Sequence, residues 1–303
     1  MPLDPDVVRL LAQLPAFDVN RTPAQARAEG EARRQPGLGD QSVRTRDFAI
    51  PGRAGAIAAR LYTPAGLAAP AGLLVYYHGG GFVLGGLDSH DAICRDLAAK
   101  GGVVLAAIDY RLAPEHPFPA AVEDAWDALT WIAAHADELG SHSGRLGVGG
   151  DSAGGCLAAV VALCARDAGL ELRLQLLVYP VTDFSEHRPS MSDNGEGYFL
   201  SSAAMRWFEQ HYQPVATDWR ASPLLAPDHR GTAAAVVLTC EFDPLRDEGN
   251  EYATRLAAAG VTVEHHCYPG LIHGSLGFTA AVPAALALMD DAAAALQRWL
   301  ARP

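Results

Sequence analysis

From residue 72 onward, short apolar runs alternate with longer alanine-rich runs, and this alternation constrains the fold more than any other feature of the chain. Two of the short runs, 73–77 and 103–108, are almost continuously apolar. Strands have this composition when both of their faces are buried, as in a parallel sheet covered by helices. The alternation therefore predicts an α/β fold in which a mostly parallel sheet carries helices on both faces.

Eight runs have the pattern of strands and eight have the pattern of helices. The strand-like runs lie at 43–50, 56–63, 72–78, 102–109, 145–149, 173–180, 234–240 and 261–268. The helix-like runs lie near 4–14, 23–33, 90–100, 119–139, 153–168, 201–213, 246–259 and 282–301. The first two strand-like runs are more polar and are joined by Pro51-Gly52, so we expect them to form an antiparallel edge.

A pentapeptide between the predicted strand 145–149 and the predicted helix 153–168 points to chemistry; it is Gly150-Asp151-Ser152-Ala153-Gly154. On such a turn the serine is held in a strained backbone with its hydroxyl exposed at the sheet edge, and the glycines let strand and helix approach closely. The same small residues also occur in tight turns that perform no chemistry. The motif therefore makes Ser152 a candidate nucleophile.

A serine nucleophile needs a base, which lies later in the chain when the order is serine, acid, histidine. Among the 11 histidines, His273 is set apart by its place in a turn directly after the last predicted strand. His265 and His266 lie within that strand, where we expect one of them to point into or under the sheet as a structural residue. The pattern therefore predicts His273 as the base.

The acid of such a site should follow another strand. Asp243 comes just after the predicted strand 234–240, so we expect it at the same sheet edge as the nucleophile. There it would orient the imidazole and stabilise its protonated form. Glu241, Asp247 and Glu248 are the alternatives, although the last two are better explained as acidic residues that open the next helix.

A glycine-rich loop, His78-Gly79-Gly80-Gly81-Phe82, directly follows the buried run 73–77. Glycines there allow backbone N–H groups to turn toward a ligand without obstruction by side chains. Together with the N–H of Ala153, such a loop can form an oxyanion hole. A plain turn and a phosphate-binding loop are the alternatives, but no Lys-Ser or Lys-Thr pair follows the glycines, as a phosphate-binding loop requires.

Composition argues against several classes of partner. The formal net charge is −12 and no basic run stands out, so we expect neither nucleic acid nor an anionic membrane surface as a partner. No apolar stretch approaches the length of a membrane span, and the first residues lack the pattern of a signal peptide. The 5 cysteines show no Cys-x-x-Cys spacing, which predicts free thiols, no zinc or other metal site, and a cytoplasmic location.

Two segments do not fit the alternation. Residues 1–40 are helical pieces separated by prolines, Pro36 among them, and residues 183–222 are rich in aromatic side chains. Long insertions at this edge of a sheet often form lids or binding elements, and an ordinary packed subdomain is the alternative. Four apolar residues are candidates either for a substrate pocket or for plain core packing: Phe82, Leu84, Trp207 and Phe208.

In order, these motifs resemble those of the hormone-sensitive-lipase-like branch of the α/β-hydrolases, also called bacterial family IV esterases. The resemblance spans nearly the whole chain and rests on five segments: His78-Gly79-Gly80-Gly81-Phe82, Asp109-Tyr110-Arg111-Leu112-Ala113-Pro114-Glu115, Gly150-Asp151-Ser152-Ala153-Gly154-Gly155, Asp243-Pro244-Leu245-Arg246-Asp247-Glu248-Gly249 and His273-Gly274. It implies an eight-stranded sheet with one antiparallel strand. It also implies a catalytic domain of residues 41–182 and 223–303, with a helical cap formed by residues 1–40 and 183–222.

The resemblance further implies individual roles. The oxyanion donors would be the backbone N–H groups of Gly80, Gly81 and Ala153. His78 and Gly79 would support that loop, the segment 110–115 would brace it, and the triad acid would be the aspartate of the Asp-Pro-Leu motif, Asp243. The resemblance implies no cofactor, and it allows a homodimer because members of the family are often dimers.

We therefore predict a serine carboxylesterase that hydrolyses short- to medium-chain acyl esters through an acyl-enzyme, with a small-molecule ester as its partner. An amidase, a lactonase or a deacetylase on the same triad is the alternative, because the catalytic machinery is the same. A non-catalytic ligand receptor on this fold is less favoured, since such relatives typically lack the triad histidine and His273 is present.

Overall fold

A computed structural model describes residues 2–33 and 37–301. Pro36 and the end residues 1, 302 and 303, which the predicted segments include, lie outside the described residues. The strands form one sheet: β1 (Arg44–Gly52), β2 (Gly55–Thr63), β3 (Ala71–Tyr77), β4 (Val104–Asp109), β5 (Ser141–Asp151), β6 (Leu174–Val178), β7 (Ala234–Phe242) and β8 (Val263–Ile272). Each corresponds to one of the strand-like runs of the sequence.

The strand order is β1-β2-β4-β3-β5-β6-β7-β8. β2 runs antiparallel to both of its neighbours, β1 and β4, and every other pair in the sheet is parallel. The eight-stranded sheet with one antiparallel strand is therefore confirmed, and so is the antiparallel edge formed by the first two strands.

Nine α-helices lie within the described residues: α1 (Pro5–Leu11), α2 (Pro23–Arg33), α3 (Asp91–Gly101), α4 (Ala120–Ala134), α5 (Ala153–Ala168), α6 (Pro189–Asp193), α7 (Ser202–Tyr212), α8 (Arg246–Ala258) and α9 (Leu286–Leu296). Only α6 has no counterpart among the helix-like runs. The run 119–139 is interrupted after α4 and resumes as a single 3₁₀ turn, Asp137–Leu139, which Gly140 ends with a φ of 75°. A left-handed glycine is a common way to end a helical segment.

The central strand β3 explains the continuous apolar run at 73–77. All seven of its residues are buried. Leu73, Val75 and Tyr77 pack into the core on one face of the sheet, whereas Leu74 and Tyr76 pack into the core on the other face. A strand between two helical layers must be apolar at every position, because successive side chains point to opposite faces.

The expectation for the two histidines of the last strand is wrong. β8 lies at the edge of the sheet, and both His265 and His266 are exposed. His265 Nε2 lies 2.9 Å from Asn250 Oδ1 on the neighbouring helix α8. An edge strand has less covering than a central one, so neither side chain needs to be enclosed by the sheet.

Parallel pairing brings the carboxyl ends of four strands to one edge of the sheet. Tyr77 of β3 pairs with Gly150 of β5, and Phe242 of β7 pairs with Ile272 of β8. The residues that follow these four are His78, Asp151, Asp243 and His273. Open α/β sheets bind ligands at this edge, so the topology places the predicted site residues where a site is expected.

The described part of the chain contains no helix that is both long and apolar enough to cross a membrane. In residues 2–33 and 37–301, no group of three or more His, Cys, Asp or Glu side chains is arranged to hold a metal ion. All five cysteines are free thiols, as their number and spacing predicted.

Candidate active site

Ser152 occupies the sharp turn between β5 and α5. Its backbone has a φ of 56° and a ψ of −119°, a conformation that costs a non-glycine residue of order 1–3 kcal/mol and needs support from its surroundings. One support is the hydrogen bond from its N–H to the carbonyl of Val178, at 2.9 Å. A Cβ atom on Gly154 would lie 1.9 Å from the carbonyl oxygen of Tyr77, so the turn requires glycine there.

Ser152, His273 and Asp243 form a continuous chain of hydrogen bonds. His273 Nε2 lies 2.9 Å from Ser152 Oγ, and His273 Nδ1 lies 2.8 Å from Asp243 Oδ2. A carboxylate oxygen only accepts, so the Nδ1 atom carries the proton and Nε2 is free to accept from the serine hydroxyl. The structure therefore brings the three predicted triad residues together with the tautomer that a general base needs.

Asp243 and His273 are held in place by their neighbours. Asp243 is fully buried, and its second carboxylate oxygen accepts the N–H of Leu245 at 2.8 Å. The amide of Asn194 donates to the backbone carbonyl of Asp243 at 3.2 Å, and the ring of Tyr179 lies 4.7 Å from that of His273. These contacts leave the carboxylate and the imidazole little freedom to separate.

The glycine-rich loop after β3 has an unusual backbone. Gly80, Gly81 and Phe82 have successive positive φ values of 119°, 61° and 63°. A Cβ on Gly80 would lie 2.2 Å from the carbonyl oxygen of Leu84, and a Cβ on Gly81 would lie 2.3 Å from the ring of Phe208. Both the backbone conformation and the available space therefore require glycine at these two positions.

The N–H groups of Gly80, Gly81 and Ala153 donate to no acceptor among residues 2–33 and 37–301. Ala153 is the first residue of α5, where helix N–H groups are unpaired and carry partial positive charge. Gly80 and Gly81 border the same cavity as Ser152. Free backbone donors beside a nucleophile can stabilise negative charge that develops on a carbonyl oxygen.

His78 lies behind this loop rather than beside Ser152. Burial, with a contribution from nearby His90, lowers the pKa of His78 to about 3, so its imidazole is neutral. Its Nδ1 atom donates to the carbonyl of Gly79 at 2.8 Å, and its ring stacks on Tyr110 with centroids 4.3 Å apart. The Tyr110 hydroxyl donates to the carbonyl of His78 at 2.7 Å, the kind of contact that bracing the loop requires.

A cavity of about 760 Å³ opens over Ser152 and His273. Three of the four predicted pocket residues border it: Phe82, Leu84 and Phe208. A second cavity, of about 500 Å³ and bordered by residues such as Arg166 and Trp299, contains none of the predicted site residues.

Trp207, the fourth predicted pocket residue, does not border the cavity over Ser152. It is buried, its indole nitrogen donates to the carbonyl of Arg21 at 3.2 Å, and its ring meets Phe17 edge-on at 5.2 Å. These contacts agree with core packing, the alternative to a pocket role for Trp207.

No sequence pattern singles out Arg27, a residue of α2. Its Nε donates to the carbonyl of Val83 at 2.8 Å, and its Nη2 donates to the carbonyl of Ala113 at 2.6 Å. Both terminal nitrogens also bind the carboxylate of Glu115, at 2.9 and 2.8 Å. One guanidinium therefore ties the glycine-rich loop to the segment 110–115.

Asp151, which directly precedes Ser152, also holds the glycine-rich loop. Its buried carboxylate accepts the hydroxyl of Tyr76 at 2.8 Å and the N–H of Gly79 at 3.0 Å. Burial opposes ionisation, but the adjacent His90 imidazole and the hydrogen bond from the Tyr76 hydroxyl outweigh it and hold the pKa of Asp151 below its usual value. The ionised carboxylate of Asp151 is therefore a fixed hydrogen-bond acceptor for the N–H of Gly79.

Glu248 is a second buried carboxyl that borders the cavity. As predicted, it lies with Asp247 in the first turn of α8. Its Oε1 atom accepts the N–H groups of Thr182 and Asp183 at 2.7 and 3.4 Å. Burial raises its pKa to about 8, so the group is neutral near pH 7.

Comparison with known proteins identifies a fold family and several similar enzymes. A family model of the alpha/beta hydrolase fold matches residues 74–277. Carboxylic ester hydrolase LipN of Mycobacterium tuberculosis is 44% identical over 295 residues, which is 94% of this chain and 77% of that protein. An ethyl acetate hydrolase of Pseudomonas putida is 41% identical, over 90% of this chain and 92% of that protein.

A solved structure shows the same similarity. The ester-hydrolase EH1AB1 from the metagenome of Lake Arreo matches with a TM-score of 0.91 and 41% identity, over 98% of each chain. Similarity over more than three quarters of the length of each of these ester hydrolases, together with the fold, establishes the family that the motifs predicted. The chain belongs to the hormone-sensitive-lipase-like carboxylesterases of the α/β-hydrolase superfamily.

Proposed function

We propose that Ser152, His273 and Asp243 are the catalytic triad of this carboxylesterase. Ser152 Oγ attacks the ester carbonyl carbon while His273 Nε2 takes its proton, and Asp243 stabilises the imidazolium that forms. The alcohol leaves with that proton, and water then hydrolyses the acyl-enzyme with the same base, which releases the acid and restores the serine. The observation that carries this proposal is the unbroken chain of hydrogen bonds at 2.9 and 2.8 Å.

The oxyanion hole is proposed to consist of the N–H groups of Gly80, Gly81 and Ala153. Their lack of protein acceptors in the described part of the chain and the position of Ala153 at the N-terminus of α5 support this role. Losing one such donor typically lowers kcat by about 10²–10³. His78, neutral and behind the loop, is proposed to support it together with Gly79.

The proposed substrates are esters with short- to medium-chain acyl groups. The volume of about 760 Å³ and a border that contains aromatic and aliphatic side chains support this range. The similarity to an ethyl acetate hydrolase supports the short end of it. Phe82, Leu84 and Phe208 are proposed to contact the acyl or the alcohol group.

Residues 1–40 and 183–222 are proposed to form a cap over the catalytic domain of residues 41–182 and 223–303. Phe17 from the first segment contacts Phe208 from the second, with ring centroids 5.5 Å apart. Both side chains border the cavity. These contacts support a single cap made from two distant parts of the chain.

Hydrolysis of p-nitrophenyl esters from acetate to palmitate by the wild type and Ser152→Ala tests the function. We expect the wild type to have its highest kcat/KM on short or medium chains and the variant to be close to background. A folded wild type that hydrolyses none of these esters would contradict the proposal and favour an amidase, a lactonase or a deacetylase.

We also propose an oligomeric state and a cellular location, neither of which depends on the geometry of the site. A homodimer is proposed, and light scattering on the eluting peak of a size-exclusion column would test it. A cytoplasmic, reducing location is proposed because all five cysteines are unpaired, and thiol labelling in intact cells before and after reduction would test it.

A further inference from the structure

The glycine-rich loop needs support from its surroundings to keep its backbone conformation. Gly80 and Gly81 adopt positive φ values without penalty, but Phe82 has a φ of 63°, which a non-glycine residue keeps only where surrounding contacts determine the backbone. Gly79, the residue before this stretch, is in close contact with the carboxylate of Asp151: a Cβ there would lie 2.4 Å from Asp151 Oδ2. The side chains that hold Gly79 and the carboxylate of Asp151 therefore determine the direction of the N–H groups of Gly80 and Gly81.

Ser89, His90 and Asp151 form a second chain of polar contacts, which ends at Gly79. Ser89 Oγ lies 2.9 Å from His90 Nδ1, and His90 Nε2 lies 3.4 Å from Asp151 Oδ1. His90 Nε2 also accepts the N–H of Gly79 at 3.2 Å. The same N–H donates to Asp151 Oδ1 at 3.0 Å, so one backbone N–H is held by both side chains.

The contacts of Ser89 fix the ring of His90. The Ser89 hydroxyl donates to the carbonyl of Gly86 at 2.9 Å, and a hydroxyl has only one proton to donate. His90 Nδ1 must therefore be the donor to Ser89 Oγ. This leaves His90 Nε2 facing Gly79 and Asp151, where it accepts the N–H of Gly79.

We propose that His90 is a positioning residue for the oxyanion hole, which acts through Asp151 and Gly79 and is itself oriented by Ser89. The inference rests on the proposed function, because it concerns the donors at Gly80 and Gly81. An oxyanion hole acts on the charge that develops in the transition state, so a shift of these donors lowers kcat and kcat/KM together and leaves KM unchanged. Misplacement of such groups by an ångström costs up to about 10²-fold in rate.

Two substitutions of His90 separate its two ring nitrogens. In His90→Gln, the side-chain amide reaches the position of Nε2, so the contact with Gly79 and Asp151 is kept. In His90→Asn, the shorter amide reaches only the position of Nδ1, so the contact with Ser89 is kept and the contact with the loop is lost. His116→Asn is the matched control, because His116 is exposed and does not border the cavity.

The test is steady-state hydrolysis of p-nitrophenyl butyrate by the four proteins, normalised to active sites by burst titration. We expect His90→Asn to lose about ten- to a hundredfold in kcat with KM within twofold of the wild type, His90→Gln to retain most of kcat, and His116→Asn to match the wild type. An Asn variant with wild-type kcat, a change confined to KM, or equal losses in the Asn and Gln variants would overturn the inference. An inactive wild type would instead contradict the proposed function.

Discussion

Replacement of Glu248 by glutamine should change how stability depends on pH. Glu248 is fully buried, and burial raises its pKa from 4.5 to about 8. The folded protein therefore binds this proton more tightly than the unfolded chain does. Its stabilising contribution is complete below pH 4.5, declines as pH rises above that value, and is lost once pH passes the folded pKa of about 8.

The size of the effect follows from the two pKa values. Between them, stability falls by up to about 1.4 kcal/mol for each pH unit. Integrated from pH 5 to pH 8, with 4.5 for the unfolded chain and about 8 for the folded protein, the loss is roughly 3–4 kcal/mol. Glutamine has nearly the same shape, still accepts the N–H of Thr182, and does not titrate, so Glu248→Gln should escape this loss.

Urea unfolding at pH 5, 6, 7 and 8 measures the difference. We expect the free energy of unfolding of Glu248→Gln to rise relative to that of the wild type by about 3–4 kcal/mol over this range. Glu138→Gln, at an exposed position, is the matched control and should show no such trend. A constant difference between Glu248→Gln and the wild type from pH 5 to pH 8 would refute the assignment of a neutral buried carboxyl.

Three further substitutions test the site by steady-state hydrolysis of p-nitrophenyl butyrate. Asp243→Asn should lower kcat by about 10⁴, because an amide no longer selects the tautomer of His273; a loss below tenfold would contradict the role of Asp243. Gly81→Ala should lower kcat by about 10²–10³, because residue 81 has a φ of 61° and the new Cβ would lie 2.3 Å from the ring of Phe208. Adding Phe208→Ala to this variant should restore only part of the lost kcat. Arg27→Met should lower kcat by about tenfold. Arg27→Lys should lower kcat as much, because a lysine cannot make the forked contacts of arginine. Full activity in either variant would show that α2 does not hold the loop.

Much of the fold and the triad could be predicted because their signals are local. The continuous apolar run at 73–77 marks a strand buried on both faces, and the alternation with helices implies parallel pairing. Parallel strands end at the same edge of a sheet, so Ser152, Asp243 and His273 could be brought together from their positions after three predicted strands. No long-range contact had to be known for that inference.

The residues that sequence reasoning missed depend on contacts between distant parts of the chain. Arg27 binds the carbonyl of Val83, 56 positions away, and Asp151 binds the N–H of Gly79 across 72 positions. Asp151 and Gly79 each belong to a short motif, but the contact between them does not follow from the spacing within either motif. Glu248 could be placed at the start of a helix, but its burial against Thr182 could not be derived from that helix alone.

Two expectations failed because position within the tertiary structure overrides local pattern. His265 and His266 lie in a strand, as predicted, but the strand is at the edge of the sheet and leaves both exposed. Trp207 and Phe208 are adjacent aromatic residues of α7 that both contact Phe17, but only Phe208 borders the cavity.

The most direct test of the account is covalent labelling of the nucleophile with diethyl p-nitrophenyl phosphate, followed by mass spectrometry of the digested protein. We predict release of a single equivalent of p-nitrophenolate per chain, a diethylphosphoryl group on the peptide that contains Ser152, and no burst from Ser152→Ala. Label on another residue, or esterase activity that survives in Ser152→Ala, would contradict the central claim that Ser152 is the nucleophile.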